Sequence, residues 1–297
     1  MIPANTHATQ DSGGSIEAQL SAAVRLEATA PAEAVACYKQ ILLNDRANIA
    51  AHNAIERLSP GDSYALWMRI NCAIDPRDDI FHFFARHPIA SNPIREYLTD
   101  GWRTLSELML LLDRAGTSLT HMDRVLEFAA GYGRFTRHLV KAIPGKVTCA
   151  DVLPGTAEFM REQFKVDAFY SHHDPAAIVY PRQFDLVFVL SLFTHLPVHM
   201  WPAWLKNLAR AVKPGGLLVL SVHNEAIAPH LGVSLGADGT YFVASSESPS
   251  IDGAVYGTTF TTRAYVESAI CEALGSAALF YQPYTFWGGQ DGVVIRL

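Results

Sequence analysis

The sequence predicts an α/β protein: a mostly parallel sheet flanked by helices, carrying an N-terminal helical extension. Three observations lead there. From about residue 124 onward, short apolar runs alternate with amphipathic helical segments, the pattern of parallel strands joined by crossover helices. The first such run, Arg124 to Phe128, ends in the small-residue turn Ala129-Ala130-Gly131-Tyr132-Gly133-Arg134, which opens a helix. The first third of the chain has a different texture, with helical periodicity and no strand-like runs.

A polar start, to about residue 15, reads as a disordered tail. Ile16 to Ala30 and Pro31 to Leu43 read as paired helices, the second with Ala34, Val35, Cys37, Tyr38, Ile41 and Leu42 on its apolar side, and Asn48 to Leu58 reads as a third. Joined by Asn44-Asp45-Arg46-Ala47, these helices resemble one and a half tetratricopeptide units, without the proline such repeats often carry in the loop. Stable arrays need about three repeats. Two readings follow: a partner-binding or dimerising segment, or a helical cap on the main domain. The turn formers Ser59-Pro60-Gly61-Asp62 mark the boundary, giving an extension over 16–62 and a main domain over 63–297.

In the main domain, glycines at 131 and 133 let the backbone turn tightly and approach a ligand, and Phe135, Leu139 and Ile143 mark the buried face of the following helix. A dinucleotide fingerprint requires a small third residue, where this chain has Thr136. Glu127, at the end of the strand, would repel a pyrophosphate but could accept a hydrogen bond from an ammonium group. The pattern E-x-A-x-G-x-G therefore favours a zwitterionic cofactor. Val147 to Asp151 reads as a second strand ending in an acid 18 positions after Gly133, near the roughly 20-residue offset of a ribose-binding carboxylate. Phe169-Tyr170 is a weak third strand, followed by Ser171-His172-His173-Asp174. Asp185 to Leu190 is a strong buried strand leading into Ser191-Leu192-Phe193-Thr194-His195-Leu196. Trp201, Trp204, Leu205, Leu208 and Val212 form a helical stripe that ends at Pro214-Gly215-Gly216, and Leu217 to Val222 is a fifth strand.

These landmarks, in this order between Tyr97 and His223, resemble the class I methyltransferases that use S-adenosylmethionine, with Ala129 where that superfamily more often has glycine. The resemblance implies a seven-stranded, mostly parallel Rossmann-like sheet closed by an antiparallel hairpin, here Ala277–Tyr281 with Val293–Leu297, after a helix over Thr262–Leu274. It implies S-adenosyl-L-methionine as cofactor, held by Glu127, Ala129, Gly131, Gly133 and Asp151, with Asp174 beside the adenine and Ser191 after the fourth strand. Tyr97, Gly101 and Arg103 match a segment that closes over the methionine end of the cofactor in many relatives; Tyr97 and Trp102 also fit as packing residues at a helix joint. Asn92-Pro93-Ile94 lacks the second proline and the aromatic of the amino-methylating Asn-Pro-Pro-Tyr motif.

Methyl transfer from a sulfonium is an in-line displacement in which the protein aligns the partners and keeps water out. A hydroxyl acceptor also benefits from a base, and histidine suits that work near neutral pH. His195 follows the fourth strand and His223 ends the fifth, so both lie at the carboxyl edge of the sheet, where ligands bind. His195 could act on the acceptor or orient its loop, and for His223 acceptor contact is the reading taken. The long Gly- and Ser-rich stretch from Glu225 to Phe260 holds Tyr241, Phe242, Tyr256 and Gly257-Thr258-Thr259-Phe260. It reads either as an acceptor-binding loop or as an extra hairpin. The expected reaction is O-methylation of a small-molecule or glycan acceptor without metal, since no paired acids follow the fourth strand. N- and C-methylation stay open, and the rival reading is a non-catalytic S-adenosylmethionine-binding scaffold or partner-binding protein.

Composition bounds the rest. With 297 residues, 49% hydrophobic and 18% charged, the chain can bury a large core. A formal charge of −6 disfavours nucleic-acid binding. No apolar stretch of about 18 residues or signal-peptide pattern appears, so no membrane association and a cytoplasmic location are expected. Cys37, Cys72, Cys149 and Cys271 have no metal-site spacing and are expected to be buried or inert. A homodimer or protein partner would engage the N-terminal helices.

Overall fold

The computed structural model describes residues 15–88 and 90–297; the tail expected over 1–15 lies, except for Ser15, outside the described residues. The chain divides into two compact units between Met68 and Arg69, one short helix beyond the Ser59-Pro60-Gly61-Asp62 cluster.

In the first unit, α1 (Ile16–Leu26) begins where the Ser15 hydroxyl accepts the Ala18 N–H. Pro31 opens α2 (Pro31–Asn44) in the first turn, where its missing N–H costs no hydrogen bond. Asn48 caps α3 (Ile49–Leu58) by accepting from Ala51, and α4 (Tyr64–Met68) follows. Small residues at the crossings, Ala23, Ala34, Ala51 and Ala54, bring the helices close around Tyr38, Ile41 and Ile55. Glu27 accepts a hydrogen bond from the Tyr38 hydroxyl at 2.7 Å and pairs with Arg57 at 2.9 Å, so one carboxylate ties the end of α1 to α2 and α3.

The second unit begins with α5 (Asp79–Arg86), capped by Asp78, and α6 (Pro93–Arg114), capped by Asn92. The Asn92-Pro93 pair is a helix start: the side chain accepts the Arg95 N–H and proline takes the first helical position. The strands and helices that follow are β1 (Val125–Phe128), α7 (Thr136–Ala142), β2 (Val147–Asp151), α8 (Thr156–Phe159, widening through Met160–Phe164), β3 (Asp167–Tyr170), β4 (Phe184–Val189), α9 (Trp201–Arg210), β5 (Val212–His223), β6 (Thr240–Val243), β7 (Thr258–Thr261), α10 (Arg263–Leu274), β8 (Phe280–Phe286) and β9 (Gln290–Arg296).

Seven strands form one sheet in the order β3-β2-β1-β4-β5-β9-β8, while β6 and β7 pair separately. β1 to β5 run parallel, and β9 is antiparallel to both its neighbours. The two-residue period assigns side chains to opposite faces. Leu126, Phe128, Val187, Val189, Leu218 and Leu220 pack against α9 and α10; Val125, Leu186, Phe188, Leu217 and Val219 pack against α6, α7 and α8. Strand order reverses between β1 and β4, so the loops after these two strands diverge and open a crevice at the carboxyl edge.

Two strand bounds differ from the sequence reading. β5 starts at Val212 and runs through Pro214-Gly215-Gly216, with a register shift against β4 between Phe184 and Leu186. The closing hairpin begins at Phe280. Cys72 and Cys149 are buried and Cys37 is half-buried, but Cys271 is exposed on α10. Among the described residues no helix is long and apolar enough to cross a membrane.

Candidate functional site

A cavity of about 790 Å³ opens at the strand-order reversal, toward the upper end of the usual range for ligand pockets. One half is walled by the loop after β1, the end of β2 and the turn after β3; the other by α5, the start of α6, the loop after β4, the end of β5 and the segment before β7.

On the first half, Ala129 and Gly131 line the cavity with φ of +59° and +55°. A Cβ at Gly131 would meet nothing within 4 Å, because it would stand in open space. Asp151 also lines the cavity; its carboxylate accepts the Gly131 N–H at 2.7 Å and the Leu153 N–H at 2.9 Å. Burial raises its pKa, and those backbone donors pull it back in part. One acid thus holds the glycine turn in place while facing the cavity. Ser171, His172 and His173 extend this wall.

Four of the residues anticipated for the cofactor lie elsewhere. Glu127 is behind the turn, where it accepts the Thr136 hydroxyl at 2.7 Å and burial lifts its pKa to about 8. Gly133, φ +80°, packs: a Cβ there would meet the Phe164 ring at 2.4 Å. Gly101 lets α6 cross the start of α7, since a Cβ would meet the Arg134 carbonyl oxygen at 2.1 Å. Asp174 turns away and caps its own 3₁₀ turn by accepting the Ala176 N–H.

Tyr97, Arg103 and Ser191 do line the cavity. The Tyr97 hydroxyl donates to Asp78 at 2.5 Å, and Arg134 pairs with Asp100 while its guanidinium lies over the Trp287 ring at 4.8 Å. Arg103 is exposed at the cavity wall. Ser191, φ +61°, donates its N–H to Ser221 and exchanges side-chain hydrogen bonds with Gln290.

His195 and His223 are brought together across the second half, ring centroids 6.3 Å apart. β7 and the residues leading into it hold both. His195 Nδ1 is 2.6 Å from the Gly257 carbonyl oxygen, and His223 Nδ1 is 2.8 Å from that of Thr259. A carbonyl only accepts, so each Nδ1 carries its proton. Tyr256 stacks on His195 at 4.4 Å and Phe260 on His223 at 4.3 Å. Burial drives the His223 pKa down to about 4, so that ring is neutral near pH 7 and its Nε2 holds a lone pair. His195 Nε2 is 3.0 Å from Glu247.

Glu247 and Ser248 are the members that sequence reasoning missed. They stand in Ser245-Ser246-Glu247-Ser248, a polar stretch with no periodicity to single out either residue. Ser248 donates to Asp79 at 2.6 Å, so the inserted segment is fastened to α5 at one end of the cavity and to His195 by its neighbour.

The methyltransferase-domain family matches residues 125–216. No curated protein matches the chain. Among solved structures, an S-adenosylmethionine-dependent methyltransferase from Clostridium acetobutylicum ATCC 824 is similar at 12% identity over 67% of this chain and 92% of that chain, with a TM-score of 0.49. The methyltransferase SibL is similar at 18% identity over 88% of this chain and 76% of that one, TM-score 0.48. The N-methyltransferase NodS from Bradyrhizobium japonicum WM9, in complex with S-adenosyl-L-homocysteine, shares 15% identity over 74% and 98%, TM-score 0.45.

Proposed function

We propose that this chain is a methyltransferase of the class I S-adenosylmethionine-dependent superfamily and that it O-methylates a small-molecule or glycan acceptor in the half of the cavity nearest its two histidines. One observation carries the choice of a hydroxyl. Both rings are pinned through Nδ1 to backbone carbonyls of neighbouring residues, and both line the cavity. His223 Nε2 keeps a lone pair that an acceptor hydroxyl can donate to, while His195 Nε2 already faces Glu247 beside it.

S-adenosyl-L-methionine is the cofactor, and the first half of the cavity suits it. Gly131 leaves the space that a side chain would fill, and Asp151 offers lone pairs beyond the two backbone bonds it already accepts. In this reading Asp151 binds the ribose hydroxyls, Ala129 and Gly131 cradle the nucleoside, His172 and His173 border the adenine, and Arg103, beside Tyr97, meets the carboxylate of the methionine end. Glu127, displaced from direct contact, stiffens the turn through Thr136. The cofactor, when bound, supplies an electrophilic methyl group on sulfur. The protein's own part is to align the acceptor oxygen and exclude water; the 790 Å³ volume leaves room for the acceptor beside the cofactor.

The test is calorimetry with S-adenosylhomocysteine and NADH, followed by labelled-methyl transfer to panels of phenols, sugars and amines. Binding of S-adenosylhomocysteine alone and label on hydroxyls are expected; label only on amines would overturn the O-methylation reading. Asp151→Ala should weaken S-adenosylhomocysteine by about 10- to 100-fold, as expected for losing charge-assisted hydrogen bonds of about 1.5–3 kcal/mol. Unchanged affinity would contradict the ribose assignment.

A further inference from the structure

We propose that the acceptor is an aromatic hydroxyl compound with an apolar body, a phenol and not a glycan. This rests on the O-methylation reading above and names the substrate class of the same cavity.

Polarity is unevenly distributed along the walls. α5 presents Asp79, Ile80, Phe83 and Phe84 to the cavity, and His87 follows just past its end. These positions recur every three or four residues, so they form one stripe along the helix. The stripe starts polar, where Asp79 accepts the Ser248 hydroxyl at 2.6 Å, and ends at exposed His87. Between them it is apolar. Phe83 is 45% exposed, whereas Phe81, on the other side of the helix, is buried against the Tyr97 ring. α5 thus fills the core with one apolar face and lines the cavity with a second, which the protein leaves partly uncovered.

The inserted segment repeats the pattern. Its polar members stand together: Glu247 is 3.0 Å from His195, Tyr256 stacks on that ring, and His223 lies 6.3 Å from it. The hydroxyls nearby are engaged within the protein, Ser248 donating to Asp79 and Thr258 to the Ser245 carbonyl oxygen at 2.6 Å. Ile251 and Val255, the segment's apolar members on the cavity, are incompletely buried.

Polar groups therefore gather at one end of this half, around the two histidines, and the walls running away from them are apolar. A sugar carries hydroxyls on every side. Each one set against Phe83 or Val255 would lose its water without gaining a partner. A phenol places one hydroxyl at the polar end and its ring along the walls, where Phe83, Phe84 and Tyr256 offer aromatic edges and faces.

Calorimetry on the full chain saturated with S-adenosylhomocysteine tests this with naphthol and methyl glucoside. Naphthol should bind at least about 100-fold more tightly, and Phe83→Ser should weaken it about 10-fold by removing apolar area from the wall. Val255→Ser, in the other wall, takes the place of that variant where Phe83→Ser does not fold. Glucoside bound as tightly as naphthol, no binding of naphthol, or naphthol affinity unchanged in the folded variant would overturn the proposal. The two readings fail separately: a chain that binds no S-adenosylhomocysteine, or that transfers label only to amines, defeats the O-methyltransferase reading, whereas a chain that binds S-adenosylhomocysteine and rejects naphthol defeats only the acceptor class.

Discussion

At the scale of single residues, the loop after β1 shows what a sequence pattern conceals. Ala129 stands in the left-handed region, φ +59°, where glycine is the usual occupant. A Cβ in the left-handed region costs about 1–2 kcal/mol, while glycine would add about 0.5–1 kcal/mol of unfolded-chain entropy. Ala129→Gly should therefore leave stability unchanged or raise it by up to about 1.5 kcal/mol by these same terms, measured as a shift in the urea midpoint. A clear loss would mean that the alanine methyl packs more than its backbone strains. The neighbouring acids carry a second lesson. Glu127 and Asp151 look equivalent in sequence, each ending a strand before a turn. Only Asp151 faces the cavity, because Thr136 and the turn itself cover Glu127.

At the scale of elements, the segment between β5 and α10 adds one wall to the second half of the site. Its strands β6 and β7 pair only with each other, yet the stretch leading into β7 supplies Glu247, Ser248, Val255, Tyr256 and Thr258 to the cavity wall. Of the two readings of that stretch, the extra hairpin is present, and the residues leading into it line the cavity. Ser248→Ala would leave a buried Asp79 oxygen without its donor, a loss of about 1–3 kcal/mol. Amide exchange across residues 244–257 should then quicken about 5- to 100-fold, with β1, β4 and β5 unchanged. Equal protection in wild type and variant would show that the Ser248 bond does not hold the segment down.

At the scale of the whole molecule, buried titratable groups oppose one another across the pH range. Burial depresses His138 and His223 to about 4, so the unfolded chain binds protons that the folded one does not. Their contribution is present above about pH 6.5 and is lost as pH falls toward 4. Glu127, lifted to about 8, works the other way: its contribution is full below about pH 4.5 and is lost as pH rises through 8. Stability without cofactor should therefore peak between pH 5 and 7, as read from urea midpoints at pH 4.5, 6 and 8. Glu127→Gln should flatten the decline on the alkaline side. A decline just as steep in that variant would assign it to other buried acids, such as Asp78, Asp100 and Asp151, whose pKa values burial also raises.

Local pattern alone was enough for the parallel strands β1 to β4, for α1 to α3, α9 and α10 and for the crevice at the carboxyl edge, but not for α5 or α6. Apolar periodicity, helix caps such as Asn48 and Thr262, and left-handed glycines such as Gly131 act over a few residues, and those are written along the chain. Which polar groups share the cavity depends on long-range packing. It turned Asp174 and Gly101 away, put Glu127 behind its own turn, and carried Glu247 from an aperiodic serine-rich stretch to within 3.0 Å of His195, 52 positions away in sequence. Contacts of that kind depend on how an irregular segment folds back over a sheet edge, and no local periodicity encodes that path.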